Sequence, residues 1–90
     1  MSRTADYTGQ FKKDYKLAAK RGLDLGIIDE AIRLLVAGTP LPERYRDHAL
    51  SGNYQGRREC HLRPDWLLIY QLAPGLVVLE RTGAHADLFG

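Results

Sequence analysis

Ninety residues make one domain, 44% hydrophobic and 27% charged, with a single cysteine, so an intrachain disulfide is impossible. The longest apolar runs, 66–70 and 76–79, are far too short to span a bilayer, and residues 1–6 lack the apolar stretch of a secretory signal. Without a disulfide or a signal, the expected compartment is the cytoplasm, and no membrane partner is expected.

The net charge of +2 is unevenly spread. Residues 1–21 carry six basic and two acidic side chains, and 44–63 carry five and two; the acidic excess lies in 22–43 and 64–90. Two basic blocks in so small a chain fit a polyanionic partner; the alternative is a solvated helix face plus scattered arginines.

In chain order, residues 3–7 form a short first strand. Residues 9–21 follow as a helix, with Phe11, Tyr15, Ala18 and Ala19 on one apolar stripe. Thr8 is placed to cap its start and Gly22 to end it. Lys12, Lys16 and Lys20 line the opposite side with Lys13 and Arg21 beside them, a strongly basic face. The pattern then predicts a second helix over 25–37, buried through Leu25, Ile28, Ile32 and Leu35, opened by Asp24 and closed by Gly38. Pro40 and Pro42 forbid its continuation.

Beyond residue 44 the pattern is one of strands: 57–62, 66–72 and 76–83. Pro64-Asp65 and Pro74-Gly75 mark the turns, which make the three strands antiparallel neighbours. The middle strand is apolar at nearly every position, so it is central with both faces covered. The expected fold is α+β, in the order β-α-α-β-β-β: a helical hairpin on one face of a small antiparallel sheet, with a short C-terminal segment, in a single domain spanning 1–90.

The chemistry-bearing residues cluster late. All three histidines, His48, His61 and His85, lie in the second half. The strand ends bring His61, Asp65 and Arg81 together, and the C-terminal segment adds His85 and Phe89. RNA cleavage through the ribose 2′-hydroxyl needs a base, an acid and a cation for the phosphorane, and these residue types supply them. Scattered histidines on an unrelated surface would look much the same. Trp66 is either a core residue at a strand start or a stacking surface, and Phe89 either packs back or awaits a contact. No Cys-x-x-Cys or His-x-x-x-His pair occurs, and Cys60 and His61 point to opposite faces of a strand, so neither a metal nor any other cofactor is expected. Cys60 reads as a small buried apolar residue. No Gly-x-Ser-x-Gly elbow is present.

The stretches Arg46-Asp47-His48, Gly52-Asn53-Tyr54, Arg58-Glu59-Cys60-His61, Pro64-Asp65-Trp66, Glu80-Arg81-Thr82-Gly83 and His85-Ala86-Asp87-Leu88-Phe89 together resemble the YafQ-type toxins of the RelE/ParE superfamily. Phe11-Lys12-Lys13-Asp14 and Lys20-Arg21-Gly22 are similar to that family's first helix, so the resemblance runs through nearly the whole chain. It implies a RelE-like fold, a metal-independent endoribonuclease that cleaves mRNA in the ribosomal A site, and a cognate antitoxin in a two-toxin, two-antitoxin assembly, with operator DNA reached only through the antitoxin. It also implies functional roles for His48, His61, Asp65, Trp66, Arg81, His85 and Phe89. Asp65 and His85 are expected to share the acid-base work, His48 and His61 to assist, Arg81 to meet phosphorane charge, and Trp66 and Phe89 to hold a base. Lys12, Lys13, Lys16, Lys20 and Arg21 are expected to touch RNA. Arg57 and Arg63 depart from the family pattern toward more positive charge. A ParE-like gyrase-inhibiting toxin shares the fold, but has no need of acid-base residues.

Overall fold

The computed structural model describes residues 2–90. Strand β1 (Thr4–Tyr7) leads into α1 (Gly9–Lys20) and α2 (Leu25–Ala37); the two-residue strand β2 (His48–Ala49) lies between short 3-10 turns at Glu43–Tyr45 and Gly52–Tyr54. Strands β3 (Arg58–Arg63), β4 (Trp66–Ala73) and β5 (Leu76–Gly83) follow, then α3 (His85–Phe89). No helix among the described residues is long and apolar enough to cross a membrane.

The helices end where local chemistry ends them. The Thr8 hydroxyl accepts the Phe11 amide at 2.9 Å, and the Asp24 carboxylate accepts that of Gly26 at 3.0 Å. Gly38 closes α2 with φ of 76°, a left-handed conformation that costs a glycine nothing. The hairpin buries Phe11, Ala18, Ile28, Ala31, Ile32 and Leu35 against one face of the sheet, where they meet Cys60, Leu62, Trp66, Leu68, Tyr70, Val77 and Leu79. Ala19, expected on that stripe, is exposed; Asp14 takes a buried place instead.

The sheet runs β1-β5-β4-β3-β2, with β4 at its centre as its unbroken apolar sequence requires. The expected all-antiparallel sheet is corrected at one edge: β1 runs parallel to β5, Thr4 opposite Leu76 through Tyr7 opposite Leu79. The hairpin between them acts as a crossover, so the first strand returns beside the last in the same direction. The opposite face of the sheet is thinly covered. Leu67 and Ile69 meet only Leu88 of α3, with Leu50 and Tyr54 packed alongside.

Two register shifts set which side chains reach that second face. On β4–β5, Tyr70 pairs with Leu79 and Ile69 with Arg81, leaving Glu80 unpaired as a bulge. Strict alternation from Val77 and Leu79 would drive Arg81 into the core, and the bulge reverses that parity. Arg81 joins Ile69 on the open face, while Thr82 turns inward. On β3–β4 a second irregularity falls between His61 and Arg63.

Candidate active site

The pairing registers assemble the site as rows across the open face. Arg81 is opposite Ile69, Ile69 opposite Glu59, and Glu59 opposite His48; one step along, Gly83 is opposite Leu67 and Leu67 opposite His61. Partners in register share a face. Helix α3 then folds over the end of the sheet and brings His85 in. The result is a continuous line of rings, with His48 to His61 at 6.1 Å between centroids, His61 to His85 at 6.1 Å, His85 to Phe89 at 6.2 Å and Phe89 to Tyr54 at 5.5 Å.

Each imidazole is held differently. His85 is fixed at two points by one oxygen of Asp65, which accepts its backbone N–H at 2.9 Å and contacts its Nδ1 at 2.6 Å. The backbone N–H, then the ring, holds the Asp65 carboxyl below the usual carboxylate range, so Asp65 is ionised and orients the ring. His85 Nε2 is left as its free working nitrogen. The arrangement is that of a carboxylate–imidazole dyad, in which the acid fixes the tautomer and steadies the imidazolium. His48 places Nδ1 2.8 Å from the carbonyl oxygen of Arg46, which leaves Nε2 facing Glu59 at 3.4 Å. Arg46 is the one non-glycine residue with positive φ, 47°, among the described residues, and that strained turn aims the carbonyl at the ring. His61 places Nε2 3.9 Å from the same Glu59 oxygen, while its Nδ1 is buried with no partner among the described residues.

Sequence reasoning missed Glu59. Only 4% exposed, it is a carboxylate shared by two imidazoles. Its position two residues before His61 on one strand was a signal, but the β2 pairing that brings His48 onto it was not visible. Asp14 was missed too. It sits 8% exposed on α1 and receives Arg81 Nε at 2.7 Å, Arg81 Nη2 at 3.3 Å, the Thr82 amide at 3.2 Å and the Gln10 side chain at 3.0 Å. That carboxylate fixes the Arg81 fork and raises the guanidinium pKa further.

Other expected residues fall in different places. Trp66 is 3% exposed, and its indole N–H donates to Thr82 Oγ1 at 3.0 Å; it is a wall of the core behind the site and presents no face for stacking. Phe89 is 48% exposed at the end of the ring line, open to a contact. Lys12, Lys13, Lys16 and Lys20 are exposed along α1, but Arg21 turns away to Asp87 at 2.8 Å and ties α1 to α3. Arg57 lies beside the site with Nε 3.1 Å from both oxygens of Glu80. Cys60 is fully buried, and burial pushes its thiol up to about 12, which leaves it without nucleophilic use. No group of three or more His, Cys, Asp or Glu among the described residues is arranged to hold a metal ion.

A helical hairpin on one face of a five-stranded sheet, with imidazoles, carboxylates and an arginine on the other, defines a small α+β toxin of the RelE-like class, and known proteins bear this out. A family described as bacterial toxin of type II toxin-antitoxin system, YafQ, matches residues 3–90, and the chain belongs to that family. It is 47% identical to the mRNA interferase toxin YafQ of Escherichia coli K12, over 100% of this chain and 99% of that one. The toxin of the E. coli DinJ-YafQ toxin-antitoxin complex superposes with a TM-score of 0.93 at 46% identity, covering 100% of both chains. A metal-bound toxin from Helicobacter pylori superposes at 0.89 with 37% identity, over 99% of this chain and 100% of that one.

Proposed function

We propose that this toxin is an endoribonuclease that cuts mRNA in the ribosomal A site without a metal and so halts translation in the cytoplasm. The observation that carries the reading is the line of three imidazoles, braced by Asp65 and Glu59, on the same sheet face as Arg81. In this reading one imidazole takes the 2′-hydroxyl proton, and the freed oxygen attacks the adjacent phosphorus. Another imidazole protonates the departing 5′-oxygen. His85, with its free Nε2, is the leading acid-base group; His48 and His61, both beside the Glu59 carboxylate, supply the second transfer. Arg81, fixed by Asp14, meets the charge that grows on the phosphorane oxygens. Phe89 stacks on a splayed base.

Control falls to a cognate antitoxin, in the two-toxin, two-antitoxin assembly usual for such systems. Support comes from a groove of about 700 Å³ beside β1, lined by Tyr7, Phe11, Tyr15, Ile32 and Val36 together with the charged Lys12, Lys16, Asp29 and Arg33. Lys13 and Lys20 remain free to meet ribosomal RNA.

The test is end-mapping of a defined mRNA on purified ribosomes. Cleavage should leave a 2′,3′-cyclic phosphate or 3′-phosphate and a 5′-hydroxyl, spare DNA, and persist when EDTA is added with ribosomes kept intact by polyamines. A 5′-phosphate product, or loss of cutting that only a transition metal restores, would overturn the mechanism.

A further inference from the structure

Of the nine arginines, five are held by carboxylates: Arg21 by Asp87, Arg33 by Glu30, Arg57 by Glu80, Arg58 by Asp47 and Arg81 by Asp14. Arg3 donates to the Leu35 carbonyl. The remaining three, Arg44, Arg46 and Arg63, have no ion-pair partner among the described residues, and all three line one cleft of about 320 Å³. The cleft's other lining residues are His61, Leu62 and Pro64, and no carboxylate is among them. Two acids of the adjoining cleft have partners of their own: Asp24 caps α2 and Glu30 is paired with Arg33. The guanidinium of Arg44 rests 4.9 Å from the Tyr45 ring centroid, which keeps it beside the cleft without neutralising it.

Such a gathering is unfavourable for the protein alone, because three like charges repel, and it is relieved by an anion. The cleft is also joined to the site. His61 lines it and stands in the middle of the imidazole line, with its buried Nδ1 unpartnered. Arg46 orients His48 through its backbone carbonyl and is itself a lining residue of the cleft. A strand of phosphodiesters crossing the imidazoles therefore meets a cleft lined by three arginines that no carboxylate pairs among the described residues.

We propose that Arg44, Arg46 and Arg63 form a phosphodiester-binding subsite that grips the substrate RNA strand beside the scissile phosphate. The inference rests on the reading of the histidine site as a ribonuclease centre. The subsite sets grip and register on the strand; the chemistry stays with the imidazoles.

The test compares the wild-type toxin with Arg44→Gln/Arg63→Gln, which alters two exposed side chains and leaves the strained Arg46 turn intact; circular dichroism checks the fold. Binding is measured across a salt series on two targets: ribosomes carrying an mRNA with a 2′-deoxyribose at the cleavage position, and ribosomes without mRNA. The double variant should bind the mRNA-programmed ribosome roughly tenfold more weakly, with a log–log salt slope shallower by about 1.4, since each single-strand phosphate contact contributes about 0.7. Its affinity for ribosomes without mRNA should not change, and KM should rise far more than single-turnover kcat falls. Equal losses on both targets would assign the arginines to ribosomal RNA and overturn the substrate-strand subsite, as would unchanged affinity and slope. A collapse of kcat at full affinity would overturn it too, by moving the arginines into the chemistry. If the wild type leaves mRNA intact on ribosomes, the ribonuclease reading itself fails; if the wild type cuts and the double variant binds the strand normally, only the subsite fails.

Discussion

The two faces of the sheet are built on opposite principles. The face under the hairpin is closed and apolar, and its few polar groups are satisfied: the Trp66 indole by Thr82, and Thr82 in turn by the Leu67 carbonyl at 2.7 Å. The other face has one thin apolar patch, Leu67, Ile69 and Leu88, surrounded by histidines, carboxylates and arginines. Stability is concentrated on one side and chemistry on the other, and the central strand β4 belongs to both. Even residues Leu68 and Tyr70 serve the core; odd residues Leu67 and Ile69 floor the site. Damage to either face should therefore be separable in experiment.

The largest effect is expected on the open face. Removing an acid-base group costs about 10²–10⁴-fold in rate. His85→Ala should show that loss in single-turnover cleavage, with ribosome affinity and thermal stability near wild type, since the ring is 53% exposed. Full rate with poor binding would make His85 a contact residue and blur the division between the faces.

The mirror experiment is Leu68→Ala. Leu68 is fully buried beneath the hairpin, so truncation should cost about 2–5 kcal/mol of stability. At roughly 4–8 °C per kcal/mol for a domain of this size, the melting temperature should fall by about 8–40 °C. The folded fraction at low temperature should still cut at the wild-type rate. A rate loss in that fraction would mean that core packing reaches through β4 into the site.

The closed face was the more legible in the sequence, and the reason is physical. Helix α2 was bounded correctly at Leu25 and Ala37 because Asp24 and Gly38 act on their own neighbours, and a 3.6-residue stripe needs no partner to be seen. The open face depends on registers between distant strands. Nothing local to Arg81 announces the Glu80 bulge that turns it outward, and nothing near Glu59 announces the two-residue strand that sets His48 against it. The parallel course of β1 beside β5 is likewise fixed by where the hairpin delivers the chain. His61, Asp65, Arg81 and His85 were read as neighbours by following strand ends; the structure brings His61, His85 and Asp65 together, while Arg81 shares their sheet face and is held by Asp14. Trp66 admitted two readings, and β4 alternation, with the Thr82 hydroxyl waiting behind it, settles it as core.

Phe89 gives an intermediate effect. It ends the ring line, edge-on to Tyr54 with rings 80° apart, and is 48% exposed. Loss of a stacking aromatic costs about 1–3 kcal/mol, mainly in binding. Phe89→Ala should weaken affinity for mRNA-programmed ribosomes by that amount and leave the saturated rate within a few-fold. A loss confined to melting temperature would make Phe89 an anchor for α3 and assign it to the stability side of the molecule.

The smallest expected effect is the most specific. Asp65 is an exposed carboxylate whose main partners, the backbone N–H and ring of His85, favour its ionised form and lower its pKa in the folded state. A depressed folded pKa contributes stability that is present above the unfolded value, near about 3.9, and is lost as pH falls through the folded value. Asp65→Asn should therefore melt slightly below wild type at every pH from about 5 upward, and the gap should close as pH drops below about 4. The same substitution should lower the cleavage rate at neutral pH, because the amide cannot stabilise an imidazolium at His85 as the carboxylate does. A stability gap that stays constant down to pH 2 would show that the contribution is not electrostatic. A gap that closes while the cleavage rate matches wild type at neutral pH would leave Asp65 as a clasp for α3 with no part in orienting His85. Only the joint outcome, an acid-labile stability term together with a neutral-pH rate loss, makes this contact serve stability and chemistry at once.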